Sequence, residues 1–380
     1  MSPIEVCILN FTDSSAVNPK AAQYQAIINK FTKEEGLPGI VALVYTPLNG
    51  VWIGTSGYSQ IENNIEMQPC DIFMSASVAK TYHAVLTLKM QEEGLLSIDD
   101  KIDKYLPQEM CDKLPNGHKA TIKSLLNHSS GIPNPTTTLA FMAHYINNLK
   151  EEITPEEYIS FIYKKEPVGE VGEKFTYSDA NYMLVALIID KIYGNHAIAM
   201  SDFIIKPNNL EYTFYKNETD YKNRAHLVNS YADFYSEKIL RNVSDEERIF
   251  NESNIGHDGF KYSVYDSYLF FRKLFIDKSI LSQESLDLML NNDADLESFY
   301  KNERALLGVF LLNEPGYVSI SHEGQTIGSA NFSAYYPEKN AIIIICSNFG
   351  GAASPTLYKA MFDRESSDDC LLKSMEKAAF

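Results

Sequence analysis

Four consecutive isoleucines, Ile342-Ile343-Ile344-Ile345, constrain the fold of this chain more than any other stretch. Side chains of a strand alternate between two faces, so this run is apolar on both. Such a strand belongs in the middle of a sheet, covered on each side. Ala305 to Leu312, Tyr317 to His322, Ser329 to Tyr336 and Ala341 to Ser347 all read as strands around it. Near the other terminus, Ile40 to Thr46 and Val51 to Tyr58 are β-branched and aromatic, with Asn49-Gly50 as a hairpin signal between them. The simplest assembly is one sheet built from both ends of the chain and covered by helices.

The middle is helical. Thr121 to Asn127 reads as a short helix stopped by His128-Ser129-Ser130-Gly131-Ile132-Pro133. Thr154-Pro155-Glu156-Glu157 has the cap, proline and acid of a helix start. Ala180 to Tyr193 is a helix ended by Gly194, and Ser263 to Ile276 is amphipathic. Residues 207–258 have weak periodicity and no assigned elements. Helices are also expected at Ala21 to Lys33 and Ser354 to Phe362, after a loose lead-in over residues 1–20. The expected organisation is a sheet domain from 1–96 and 260–380, with 97–259 as an inserted, mostly helical domain.

Ser77-Val78-Ala79-Lys80 is the stretch that carries chemistry. A serine and a lysine three apart at a helix start lie one turn apart on one face. The hydroxyl can then pass its proton towards the amine, which makes Ser77 a candidate nucleophile for acyl transfer. The helix that follows, through Tyr82, Val85, Leu86 and Leu88, is apolar nearly all round and should run through a core. Its N-terminus would favour an oxyanion. The same spacing recurs at Ser298/Lys301, in a polar stretch, and at Ser374/Lys377, in an expected frayed terminus. Both read as solvated surface matches.

A serine nucleophile needs a proton acceptor and an oxyanion hole. Phe175-Thr176-Tyr177-Ser178-Asp179-Ala180-Asn181-Tyr182 could supply the first. Tyr177 as phenolate, or Lys80 as amine, would serve if its pKa were lowered. The bland alternative is that Tyr177 packs while Ser178 or Asp179 caps the helix. His322-Glu323-Gly324-Gln325 is the third piece. Strand alternation puts His322 and Gly324 on one face and Glu323 on the other, with Gly324 admitting substrate backbone. His257-Asp258-Gly259 matches equally well by composition, but His322 lies between better strands.

Fifty acidic residues against 33 basic give a net charge of −17, which disfavours nucleic acid and anionic membrane as partners. No apolar run is long enough for a transmembrane segment. No signal peptide is visible. A cytoplasmic location is expected, or a periplasmic or secreted one if a leader has been removed. The five cysteines (Cys7, Cys70, Cys111, Cys346, Cys370) form no Cys-x-x-Cys pair and read as structural or incidental thiols. The histidines are isolated, so no metal site is indicated, and no Gly-rich phosphate loop is present.

In this order the three motifs resemble the serine β-lactamase-like, penicillin-recognising hydrolases, on the side of class C β-lactamases, D-Ala-D-Ala carboxypeptidases and related esterases and D-aminopeptidases. Leu125 to Pro133, Pro207 to Thr213 and His322 to Ser347 add to the likeness, which spans roughly residues 20–362. The resemblance implies an α+β fold, an antiparallel sheet flanked by helices with a helical domain beside it. It implies Ser77 as acylated nucleophile, Lys80 as its proton partner and Tyr177 as base or relay. The N–H groups of Ser77 and Gln325 would form the oxyanion hole, and Asp179, His322 and Gly324 would meet substrate. No cofactor is implied. The partner is a small-molecule or peptide substrate, with D-amino-acid peptides or esters expected ahead of β-lactams; oligomeric state is left open. A catalytically inactive sensor of peptidoglycan fragments is the competing reading. Position 179 is Asp where the family usually has Asn, so Lys80 should be held charged and Tyr177 should carry more of the proton transfer. His322, where relatives often have Lys, should be partly charged near neutrality and lose its grip on a carboxylate as pH rises.

Overall fold

The isoleucine run is the fourth strand from one edge of an eight-stranded antiparallel sheet. The computed structural model describes residues 18–216, 227–291, 296–351, 355–363 and 369–380. Its large sheet contains β1 (Gly39–Thr46), β2 (Gly50–Gln60), β3 (Ile65–Glu66), β4 (Glu303–Ala305), β5 (Phe310–Glu314), β6 (Tyr317–Gln325), β7 (Ala330–Tyr336) and β8 (Ala341–Ser347). The order across it is β3-β2-β1-β8-β7-β6-β5-β4, so strands from the two ends of the chain meet at β1–β8. There Leu43 faces Ile344 and Val44 faces Ile343.

Strand alternation then divides the core. Ile342 and Ile344 enter the larger cluster, which they share with the helices of the middle of the chain. Ile343 and Ile345 face the opposite way, onto Tyr24 and Ile28 of α1 (Ala21–Lys30). Through the larger cluster runs α2 (Ala79–Glu92), buried nearly all round as its sequence requires. Its Tyr82 stacks on Phe270 at 3.8 Å between centroids. Burying one such ring contributes roughly 1.5–3 kcal/mol. A second long helix, α3 (Asp179–Tyr193), packs beside α2. Among the described residues no single helix is long and apolar enough to cross a membrane.

Several expectations change. The strand expected over 305–312 is interrupted at Leu306-Leu307-Gly308-Val309, because this segment dips onto α2. Gly308 has φ +75°, donates to Leu126 O at 3.2 Å, and a Cβ there would lie 2.3 Å from that of Ala84. The terminus expected to fray is a helix, α4 (Leu371–Ala379). It buries Leu371, Leu372 and Met375 against the α1 side of the sheet, and Lys20 Nζ caps it on Ala378 O and Ala379 O. Within 207–258, Thr213–Tyr215 joins Ile72–Met74 and Phe260–Ser263 in a small three-stranded sheet, and Ser244–Ser253 is a helix. Cys70 is disulfide-bonded, against the reading of every cysteine as a thiol. Spacing along the chain reports only near neighbours, whereas pairing is set by the fold. Cys111 and Cys346 are buried free thiols, and Cys7 lies outside the described residues.

Gly308→Ala combines a left-handed backbone with a clash against α2. It should destabilise the protein by about 2–5 kcal/mol, read as a lowered urea midpoint with unchanged slope.

Candidate active site

The small sheet aims the chain at the site. Ile72–Met74 ends in a turn where Ala76 takes a left-handed φ of +49°, and Ser77 follows just before α2. Such a backbone persists only where its surroundings over-determine it. Here they do: Ser75 N donates to Phe260 O at 3.0 Å, while Ser329 Oγ and Asn331 Nδ2 each donate to Met74 O at 2.8 Å. On the other side β6 presses against the turn. A Cβ on Gly324 would lie 2.7 Å from Ser75 O and 2.9 Å from Ser77 N. The expectation that Gly324 admits substrate backbone is therefore corrected: the chain's own turn at Ser75, Ala76 and Ser77 fills that space.

Ser77 is half-buried and Lys80 is fully buried. Lys80 Nζ donates to Ser77 Oγ at 2.8 Å and to His257 O at 3.3 Å, and lies 2.9 Å from Asp179 Oδ1. Tyr177 OH donates to the same Ser77 oxygen at 2.8 Å. Tyr177 also offers its ring to the ammonium, 4.8 Å from the centroid. The bland alternative for this loop fails in its details. Ser178 makes no side-chain cap bond and donates to Pro133 O instead, and Asp179 turns its carboxylate to Lys80.

Burial would strip the charge from Lys80, but the Asp179 carboxylate beside it, with Tyr177, raises its pKa above the ordinary lysine value. Asp179 is held down to about 2: burial pushes it up, and the Lys80 charge outweighs that. Tyr177 is raised by burial, so the phenolate expected from its sequence position is not its resting form. The pair at rest is an ammonium and a neutral phenol.

His322 lies at the wall of the site and its Nδ1 sits 2.7 Å from Glu323 O. Burial and the nearby Lys80 charge bring its pKa down to about 3, so it stays neutral across ordinary pH. The expected pH-dependent hold on a carboxylate has no basis in this environment. Glu323, expected to point away, lines the cavity too, as does Gln325. The set-aside His257 is also at the site, through its carbonyl on Lys80.

Ser77 stands where two cavities meet. One, of about 420 Å³, is walled by Tyr177, Phe299, Tyr300, Glu303, Phe310 and His322. The other, of about 410 Å³, is walled by Phe141, Met142, Tyr145, Ile146 and Phe250. Asp179 and Gln325 border both. Sequence reading missed Phe299, Tyr300 and Glu303, whose polar surroundings looked like plain surface. It also missed His128 as a support. The His128 ring lies 4.4 Å from that of Tyr177, and its Nδ1 accepts from Ser178 N at 3.2 Å. An imidazole tilted against the ring and bonded to the next residue's backbone fixes the phenol's direction.

The sequence model of the Beta-lactamase family matches residues 24–367. The chain belongs to the beta-lactamase family. Among its relatives, a putative penicillin-binding protein PbpX of Bacillus subtilis is 27% identical over 313 residues, covering 79% of this chain and 71% of that one. Protein flp of Staphylococcus aureus is 27% identical, but the match covers 56% of this chain and 41% of flp. Among solved structures, D-amino acid amidase from Ochrobactrum anthropi superposes with TM-score 0.77 at 20% identity, covering 94% of this chain and 99% of that one. A D-stereospecific amidohydrolase from Streptomyces does so with TM-score 0.74 at 23% identity, covering 90% and 98%. At such identities these two establish the fold: an antiparallel sheet flanked by helices.

A second buried carboxyl supports the loop after Gln325. Glu247 accepts from Thr326 Oγ1 and, at 3.2 Å, from Gly328 N. Burial, helped by Asp258, raises its pKa to about 8. A carboxyl whose folded pKa exceeds its unfolded value stabilises fully below the unfolded one, near 4.3, and loses that contribution as pH rises through the folded one. The contribution of Glu247 to thermal stability should therefore decline as pH rises from about 4.3 through about 8. Glu247→Gln should flatten that decline, with a difference in Tm of about 2 °C or more between pH 6 and 9; scanning calorimetry checks it.

Proposed function

We propose that this protein is a serine hydrolase that cleaves amide or ester bonds through an acyl-enzyme on Ser77. One observation carries the reading: Ser77 Oγ, at the meeting point of two cavities, accepts hydrogen bonds of 2.8 Å from both Lys80 and Tyr177. Two donors on one oxygen, one of them charged, stabilise the alkoxide character that attack requires. The named activities of the amidase and amidohydrolase that share the fold favour amide substrates.

The protonation states favour a relay over a free base. The substrate carbonyl carbon gains a bond to Ser77 Oγ. Tyr177 turns its O–H from Ser77 to the departing nitrogen or oxygen; the Ser77 proton then passes to the Tyr177 oxygen as the Tyr177 proton moves to that departing atom, whose bond to the carbonyl carbon breaks. Tyr177 ends as it began, and Lys80 remains an ammonium beside the oxygen that reacts. The N–H groups of Ser77 and Gln325 take the developing oxyanion. Water then repeats the sequence in reverse and frees the acid. Asp179 keeps Lys80 charged throughout, which places the alkaline limit of activity at the titration of Lys80 or Tyr177, both shifted upward.

A fluorophosphonate should add one adduct, read by intact mass, and Ser77→Ala should abolish it. Failure of the native protein to react would overturn the reading and favour a binding protein. Tyr177→Phe should lower kcat by about 10²–10⁴-fold, the usual weight of one proton-transfer group. Asp179→Asn removes the upward push on Lys80 and leaves burial to lower it. The alkaline limb of the kcat/KM profile should move to lower pH; an unmoved limb would remove Lys80 from the mechanism.

A further inference from the structure

The apolar cavity beside Ser77 has two polar side chains in its wall, each with an atom that no described residue pairs with. They are Asp258 and His257, which are 1% and 4% exposed. Asp258 Oδ1 accepts from Asn251 Nδ2 at 2.8 Å and from Gly259 N at 2.7 Å, and these two bonds hold the carboxyl in place. Its other oxygen, Oδ2, is buried and has no hydrogen-bond partner among the described residues. His257 Nδ1 lies 3.3 Å from Ile255 O, a carbonyl that only accepts, so Nδ1 carries the hydrogen. Burial brings the pKa of the imidazole down to about 4, so the ring is neutral and Nε2 is an acceptor. Nε2 too is buried and without a partner among the described residues.

Buried acceptors are costly to leave unpaired, so two in one cavity wall call for a donor that a ligand brings. The rest of the wall is mainly apolar, from Phe141, Met142, Tyr145, Ile146 and Phe250. The donor therefore sits on a hydrocarbon body. It does not need a charge. Lys80 and Lys261 already act on the Asp258 carboxyl, and Lys80 Nζ donates to His257 O at 3.3 Å. An ammonium would be repelled by Lys80, and a carboxylate would face Asp258 and Asp179. An uncharged O–H or N–H meets neither opposition.

We infer that Asp258 and His257 are specificity residues: the apolar cavity takes a substrate group with a hydrocarbon body and an uncharged hydroxyl or N–H donor at its end. This rests on the acyl-hydrolase reading for its chemistry, but the binding preference is measured without turnover. A site with buried acceptors rejects an analogue that lacks the donor, because the acceptors then lose water and gain nothing.

The test is protection of Ser77 from fluorophosphonate labelling, read by intact mass. The ligands are phenylacetamide and phenylpropanamide, each with hydrogen, hydroxyl or methoxyl at the para position. Two chain lengths cover the reach from Ser77 to Asp258. Methoxyl keeps an oxygen of similar size but has no hydrogen to donate. For at least one length, the hydroxyl compound should protect at concentrations about tenfold lower than its two counterparts. Asp258→Asn keeps an oxygen for Asn251 and Gly259 and turns the other acceptor into an N–H donor. The hydroxyl preference should then fall several-fold. If that variant does not fold, His257→Phe removes the second acceptor and is read in the same way. Equal protection within both series, no protection by any compound, tighter protection by methoxyl, or a hydroxyl preference that the variant leaves unchanged would overturn the inference. If the native protein takes no label, the acyl-hydrolase reading fails instead, and calorimetric titration of the native protein with the same amides decides the donor preference by itself.

Discussion

A lysine ammonium with no access to water has to be compensated where it sits, and the site is arranged around that requirement. Lys80 is on a helix that runs through the core, so its charge cannot reach solvent. Removing it from water costs several kcal/mol. The Asp179 carboxylate, the Ser77 hydroxyl, the His257 carbonyl and the Tyr177 ring each return part of that cost. These partners come from the turn that leads into α2, from the start of α3 and the loop before it, and from the segment before Phe260. The charge therefore ties three distant parts of the chain together at the point where chemistry would occur.

The same compensation decides which groups can move protons. An ammonium held by a carboxylate is a poor base and a good electrostatic support. A buried phenol is a poor phenolate and a good relay, since it can accept on one side while donating on the other. An Asn in place of Asp179 would leave the lysine less firmly charged. The substitution therefore changes the division of labour between the two side chains while leaving the hydroxyl in the same place. The neutral His322 belongs to the same pattern: the ammonium that Asp179 maintains is one reason the imidazole cannot also be charged.

Legibility in the sequence followed range. One-turn spacing placed Lys80 beside Ser77, and Asn49-Gly50 and the Thr154 capping box marked turns and helix starts, because each is a local contact. The isoleucine run placed its own strand because both faces of a strand can be read from alternation. Gly308 was absorbed into a strand because its close neighbour, Ala84, is more than two hundred residues earlier. Ser374 was taken for a frayed end because the partners of its helix, α1 and Tyr317, lie far away in sequence. Phe299, Tyr300 and Glu303 looked like surface because a cavity wall is defined by what stands opposite it.

The sequence by itself determined the period of each element, the centrality of β8 and the chemical inventory of serine, lysine, tyrosine and carboxylate. Those follow from side-chain alternation, helix geometry and functional-group identity, none of which needs a distant partner. Only the tertiary structure decided the protonation of Lys80, Tyr177 and His322, the packing role of Gly324 and which side chains wall the cavities. Each of these depends on the dielectric and the neighbours that folding brings within a few ångströms, and a sequence does not contain those distances.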